Sequence, residues 1–517
     1  MTDSAGRSGI DLAGRIEEHW SAVVALLAGV TGVAGSYVTV GFSPAYVVAP
    51  VETGLSKAMP GFVLAFAITV LGDLGQQLNL AAATALSAVV LSLVALVALA
   101  AGERAERRSP VAPLGGVLAW GFATFATGAP VASLGAGGGV ALALGVAEVA
   151  SAVPVGPPAT VEGRERRRFL GALASLVGVG SVAGLVASQR LEAARAEDTA
   201  AGSDLSAGDG PLDPEEVDRV RSLLAEADEK SLPNVGEMEP LVSEDFYEVD
   251  ISSVDPSLSA EDWTLSATGD VANEVTFDYD DLKEMETEHR FVTLRCVGES
   301  LNGHKTDTAL WTGTSPEPIL DAAEPQGEYV VLRAADGYYE EFPLAALREG
   351  LLAYGMNGKR LPRGHGYPVR ALVPGHWGEI NVKWLTEIEV SDEPVTGYWE
   401  ERGWHGTGPV NTVAKIHHKS RDGDRIRVGG HAYAGTRGVS TVEVSTDGGD
   451  TWQEATLSEP LPGDDVWRQW VYEYDSPGER HEVVARAIEP DGTVQPEDRT
   501  DAYPSGAAGW VSKTLDG

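Results

Sequence analysis

Five long apolar runs crowd into the first 190 residues and divide the chain into two unlike parts. A helix needs roughly 20 residues to cross the hydrocarbon of a bilayer. Runs at about 21–40, 79–101, 114–131, 134–153 and 169–187 have that length and character. Five such runs rarely cluster in a water-soluble domain, so residues 1–190 read as a helical transmembrane bundle. Residues 60–78, PGFVLAFAITVLGDLGQQL, form a shorter run that carries Asp73 and read as re-entrant or interfacial. LGAGGG blurs the boundary between the third and fourth runs.

Arginine sets the expected orientation. ERAERR (103–108) joins the second and third runs, and RERRR (164–168) joins the fourth and fifth. Basic loops stay in the cytoplasm, and Arg7 and Arg15 ahead of the first run agree. Five crossings from a cytoplasmic N-terminus then put everything after the fifth outside the cell membrane. Arg166, Arg167, Arg168, Phe169 and Leu170 also match the twin-arginine export pattern, RRxFL before an apolar stretch. That pattern implies a domain exported already folded. His19 is the sole histidine of this part and precedes the first run, so no facing pair is expected to hold a b-type haem.

Charge separates the remainder. Formal net charge is −38, from 76 acidic against 38 basic residues, and most of the acids follow residue 195. Nucleic acid is excluded as a partner, because phosphate binding needs a basic surface. An acidic surplus with few Lys is the composition of a protein soluble in very high salt. Residues 191–240 read as an acidic linker with a short helix near 214–230. One cysteine, Cys296, excludes an internal disulfide framework and a Cys-rich metal site.

From 241 to 400, short β-type runs alternate with short amphipathic helices, predicting a compact α+β domain. WTLSATGDV, FVTLRCV, YVVLRAADG and YPVRALVPG read as strands; YDDLKEM and LAALREGLLAY read as helices. From 401 to 517, regular short strands with Gly/Asp turns, as in VEVSTDGGDTW, predict an immunoglobulin-like sandwich. Cys296 ends a strand and opens into a loop bearing Gly298 and Gly303. That placement suits a thiolate metal ligand, as it also suits a buried small hydrophobe. His417 and His418 are adjacent on a strand, face opposite ways, and read as surface residues.

Four ordered stretches carry a resemblance: FVTLRCVG, ALWTGTSPEPIL, LAYGMNGKRLPRGHGYPVRALVPGHWGEINVKWLTEIEV and YWEERGW. Together they resemble the sulfite oxidase family of molybdopterin enzymes, over about residues 235–515, and the membrane-anchored prokaryotic members most. The resemblance implies a multi-domain protein: a helical transmembrane bundle, an α+β sulfite-oxidase-like molybdopterin domain, and an all-β immunoglobulin-like sandwich of the dimerisation type, hence a possible homodimer. It implies a molybdenum–molybdopterin cofactor with Cys296 as the metal's thiolate. His365 and Arg370 match positions that bind the pterin's phosphate. Asn381, Val382 and Lys383 match a further cofactor-binding segment, and Asp336 is a looser match to a pterin contact. Trp404 stands where the family has an active-site Tyr. Arg437 matches an Arg that reaches the substrate pocket, or is a surface Arg at a strand start.

Two departures bear on substrate. The family surrounds molybdenum with Arg. Here Glu248 replaces one in FYEVD, and CVGESLNG lacks another. Arg295 and His304 are candidates to compensate. The expected activity is therefore oxo transfer on a small molecule, with sulfite disfavoured and a neutral or cationic substrate such as a sulfoxide preferred, and with a separate electron carrier. The alternatives are a sulfoxide reductase, a non-catalytic membrane-anchored scaffold with a decayed cofactor domain, and an electron-transfer subunit whose helices bind quinone.

Overall fold

The structure, a computed structural model, describes residues 20–104, 111–152, 212, 214–233, 235–236 and 238–516. These form two compact units. The first runs to Met59, resumes at Leu74 and includes Ser252–Asp255. The second takes Pro60–Asp73, the residues up to Ile251, and everything from Pro256 on.

In the first unit, Trp20–Val40 and Leu74–Gly102 are helices long and apolar enough to cross a membrane. Val111–Thr127 and Leu134–Val149 are shorter apolar helices. The fifth run, the twin-arginine pattern and the RERRR loop lie outside the described residues. Helix Leu134–Ala152 packs against both Trp20–Val40 and Val111–Thr127. LGAGGG is the closest point of this packing rather than a boundary. A Cβ on Gly139 would lie 2.2 Å from the Thr31 carbonyl, and one on Gly35 would lie 2.2 Å from the Gly135 carbonyl. Small residues let helix backbones approach this closely. Thr31 Oγ1 adds a hydrogen bond to the Gly139 carbonyl at 3.1 Å. Glu52 is buried, and its carboxylate accepts from Ser252 Oγ, from Ser253 N and Oγ, and from Asn79 Nδ2.

The second unit contains two five-stranded sheets that frame the site. One has the order Thr287–Arg295, Thr306–Thr314, Leu351–Met356, Lys359–Arg360, with Arg370–Leu372 also paired to Leu351–Met356. All its pairs are antiparallel. Thr306–Thr314 is buried at every position, as a central strand covered on both faces must be. The other sheet joins Val275–Asp278, Thr264–Gly269, Leu385–Ser391, Tyr329–Ala334 and Tyr339–Pro343 in that order, with Thr264–Gly269 parallel to Leu385–Ser391. LAALREGLLAY, expected as one helix, splits at Gly350. Leu344–Arg348 is helical, whereas Leu351–Met356 is a fully buried strand. Its sheet neighbours on both sides override the helix propensity of Leu and Ala.

The C-terminal residues form two antiparallel sheets, one centred on Arg425–Tyr433 and Arg468–Asp475, the other on Thr441–Ser445 and His481–Ile488. Ile426, Val428 and Trp470 share one core with Val442, Val444 and Val483. Of the two histidines expected on the surface, His418 is buried and His417 is half-buried. His417 stacks on His304 with ring centroids 4.3 Å apart and meets His431 edge-on, while His418 is 5% exposed and contacts Ser420 Oγ. A face that covers another element is not a solvent face, whatever its residue type.

Candidate functional site

Strand Thr287–Arg295 ends one residue before Cys296, and the chain turns at once. Cys296 N–H donates to the Lys305 carbonyl, and Glu299 N–H donates to the Cys296 carbonyl. The thiol thus lines a small cavity of about 100 Å³. Burial pushes the thiol up to about 11, with Lys305 pulling it partway back.

One wall of the cavity is cationic. Arg370 opens a short strand and lies over the face of Trp311 at 5.1 Å. Its Nη1 and Nη2 donate to the carbonyls of His365 and Asn381 at 3.2 and 3.0 Å, and its buried Nε has no partner among the described residues. Burial pulls this guanidinium down to about 10. His365 ends a 3-10 turn, and burial, then Arg370 and Lys383, push it down to about 3. It is therefore neutral, and its 3.5 Å approach to Glu248 is not an ion pair. Lys383 Nζ donates to the Gly364 carbonyl and pairs with Asp250.

Of the residues singled out in the sequence, Cys296, Asp336, His365, Arg370, Asn381, Lys383 and Trp404 all line this one cavity. Asp336 faces it while its Oδ1 accepts from Tyr338 N–H. Asn381 spends its side chain on the fold: Oδ1 accepts from Val373 N–H, and Nδ2 donates to the Trp377 carbonyl. Trp404 is 1% exposed, and its Nε1 has no hydrogen-bond partner among the described residues.

Two of the expected site residues lie elsewhere. Val382 is packed in the hydrophobic core beside Val369 and Ala371, away from the lining. Arg437 is held by Glu489, the Val410 carbonyl and Thr412 Oγ1, outside the lining. Neither candidate for compensation reaches the cavity. Arg295 is fully buried and donates to Glu299, to the Asn411 carbonyl and to the Ala507 carbonyl, with its plane on Trp377. His304 is stacked on His417. Glu248 also stays out of the lining, with a side chain 52% exposed. The carboxylate that does enter from FYEVD is Asp250.

Among the lining residues that sequence reasoning missed, Glu379, Trp399 and Ile68 stand out. Glu379 lies in the quoted stretch HWGEINV and lines the cavity with both carboxylate oxygens buried. Burial and then Glu400 push it well above the usual carboxylate range, favouring the neutral acid. Trp399 was passed over inside YWEERGW. Ile68 comes from the N-terminal apolar run, where no local signal ties it to the site.

This donor set fits a molybdopterin. A buried Arg with an unspent N–H, a Lys and a neutral His suit an anionic group on one side. A thiol held protonated by burial becomes a thiolate ligand once a high-valent metal supplies the missing positive charge.

Comparison with known proteins agrees. Residues 252–399 match the family model described as the oxidoreductase molybdopterin binding domain, and residues 409–504 match the Mo-co oxidoreductase dimerisation domain. The mitochondrial sulfite oxidase of Rattus norvegicus is 30% identical over 298 residues, covering 47% of this chain and 55% of the relative. The NADPH nitrate reductase of Aspergillus niger is 28% identical over 254 residues, covering 38% of this chain and 29% of the relative. The crystal structure of the sulfane dehydrogenase SoxCD from Paracoccus pantotrophus aligns with a TM-score of 0.47 and 21% identity, over 51% of this chain and 78% of that one. The chain spans about half the length of the sulfite oxidases it matches. The adjoining molybdopterin-binding and dimerisation domains and the sulfite oxidase relatives together support a place in the sulfite oxidase family of molybdenum-dependent oxidoreductases.

Proposed function

We propose that the protein is a membrane-anchored, extracytoplasmic molybdenum oxidoreductase that moves an oxygen atom to or from a small uncharged substrate. The observation that carries this is the convergence of Cys296, His365, Arg370 and Lys383 on one cavity, which Ile68, Trp399 and Trp404 also line together with Asp250, Asp336 and Glu379. Bound there, the molybdenum cofactor would supply the two-electron oxo-transfer chemistry. Cys296 holds the metal. Arg370, Lys383 and neutral His365 hold the pterin's anionic end, with Asn381 fixing their backbone. Trp404 offers its free indole N–H to the substrate's oxygen. Sulfite is disfavoured because a dianion needs Arg that this cavity does not offer: Arg295 is spent on Glu299, and Arg370 and Lys383 are engaged in the cofactor wall. The apolar N-terminal helices support anchoring, and the Arg-rich loops support a cytoplasmic N-terminus with the oxidoreductase domain outside. The family's dimerisation domain supports a homodimer, and its relatives support a separate electron carrier.

Elemental analysis of the purified protein is expected to find molybdenum. With an artificial redox dye, turnover is expected on organic sulfoxides or thioethers and little on sulfite. Cys296→Ser should lose the thiolate-to-metal absorption and lower activity by more than the about 10–100-fold that removing a supporting partner of a metal ligand costs. Absence of molybdenum in protein from a cofactor-competent host would favour the scaffold reading, and robust sulfite oxidation would reverse the substrate assignment.

A further inference from the structure

Ile68 stands outside both stretches matched by the family models, yet it lines the cavity beside Cys296 and Trp404. The segment that delivers it is short and specific. The chain breaks at Met59–Pro60, starts a new helix at Gly61–Phe66, and widens into a π-helical turn at Ala67–Leu71. Such turns shift side-chain register and recur at functional sites. Gly61, Ala65 and Ile68 fall on one face, spaced four and three residues apart. That face is committed to the oxidoreductase domain. A Cβ on Gly61 would lie 2.3 Å from the Arg402 carbonyl, so only glycine fits there. Ala65 is 6% exposed and joins the core that contains Trp377 and Trp404, with Ile68 packed against it. The opposite face, with Phe62, Phe66 and Val70, is exposed. Thr69 Oγ1 caps the turn internally on the Ala65 carbonyl at 2.7 Å.

Opposite Ile68, the metal-binding loop has made room. A Cβ on Gly298 would lie 2.7 Å from Ile68 Cγ2, 3.6 Å from the Trp404 ring and 3.7 Å from Cys296 Sγ. The isoleucine methyl thus occupies the space a side chain at 298 would take, immediately next to the thiol.

We propose that Ile68 is a specificity-determining residue of the oxidoreductase cavity, a wall carried in by the N-terminal apolar segment. With Trp399 and Trp404 it makes the space over Cys296 narrow and apolar. This admits uncharged substrates with a small apolar substituent next to the reacting atom, and excludes hydrated anions and bulky groups. The substrate part of this inference rests on the oxo-transfer reading; the wall itself does not.

Cys296 is the sole cysteine, so alkylation of the full-length, cofactor-free protein in detergent reports access to the cavity directly. Rates would be measured with small iodoacetamide and with a bulky aryl maleimide. Ile68→Ala is expected to raise the bulky-to-small rate ratio about tenfold, the scale on which an apolar pocket discriminates size. Ile68→Trp should lower it, and Phe62→Ala, on the exposed face, should leave it unchanged. A variant that merely loosens the fold accelerates both reagents together and leaves the ratio where it was. In holoenzyme, Ile68→Ala should shift kcat/KM toward bulkier sulfoxides, mainly through KM. A ratio indifferent to Ile68 overturns the wall. A ratio that responds in a protein that turns over no oxo substrate keeps the wall and overturns the oxo-transfer reading.

Discussion

Arg295 shows how an identical neighbour in sequence can be unavailable in space. It immediately precedes Cys296 but belongs to a buried charge network. Its Nε donates to Glu299 Oε2 at 3.0 Å, Lys415 Nζ meets Glu299 Oε1 at 2.5 Å, and Thr306 Oγ1 donates to Glu299 Oε2. The Glu299 and Lys415 side chains are 1% and 2% exposed. Burial alone would raise the Glu299 pKa, but Lys415 and Arg295 outweigh it and hold the carboxyl at about 2. The network ties the loop after Cys296 to the strand side of the C-terminal sandwich. Breaking a buried pair by removing one member leaves uncompensated charge, so Glu299→Gln is expected to cost about 3–5 kcal/mol in denaturant titration. The pH dependence has a definite sign. With a folded pKa below the ordinary value of 4.5, Glu299 contributes stability above pH about 4.5 and loses it as pH falls toward about 2. The gap between wild type and Glu299→Gln should therefore narrow across that acid window. A constant gap would mean that the carboxylate's charge is not what holds the loop.

At the scale of elements, periodicity made the long apolar helices and most strands legible, because each side-chain period maps onto one buried face. Splitting LAALREGLLAY at Gly350 was not legible. The second half is a strand only because Thr306–Thr314 and Arg370–Leu372 flank it, and neither is local. The site divided in the same way. Cys296, His365, Arg370 and Lys383 could be found because they stand in an ordered pattern along the chain. Ile68 could not, because it is more than 200 residues from Cys296 and only the fold joins them. Arg437 was left open between the pocket and the surface, and its partners, Glu489 and the Val410 carbonyl, are distant in the chain. The LGAGGG stretch gives an element-scale test with an internal control. Gly139 faces the Thr31 carbonyl, whereas a Cβ on its neighbour Gly138 would meet nothing within 4 Å. Gly139→Val should force the two helices apart and cost about 1–3 kcal/mol, the usual penalty of overpacking. Gly138→Val should be close to neutral. Thermal aggregation in detergent reads both, and equal behaviour of the two variants would refute the close crossing.

At the scale of the whole molecule, charge dominates. With net charge −38 and most acids after residue 195, the polar part of the chain repels itself, and that repulsion opposes the compact state. The Glu299–Lys415–Arg295 network does not share in it, since it is enclosed and pairs its one carboxylate with two cations. Surface repulsion is long-range and falls with screening: the Debye length is about 10 Å at 0.1 M salt and about 3 Å at 1 M. Raising KCl over that range should therefore stabilise the protein. One kcal/mol corresponds to about 2–4 °C for domains of 150–250 residues, so a rise in Tm of several degrees is expected for the oxidoreductase and sandwich part. Sulfate salts would raise Tm for any protein by strengthening apolar burial, which is why the chloride series is the discriminating one. Glu299→Gln should keep the same salt slope from a lower starting Tm, because the surface term is untouched by the buried one. A Tm that stays flat or falls with KCl would show that the acidic surface is balanced by local pairs, and would remove the basis for reading this composition as an adaptation to high salt.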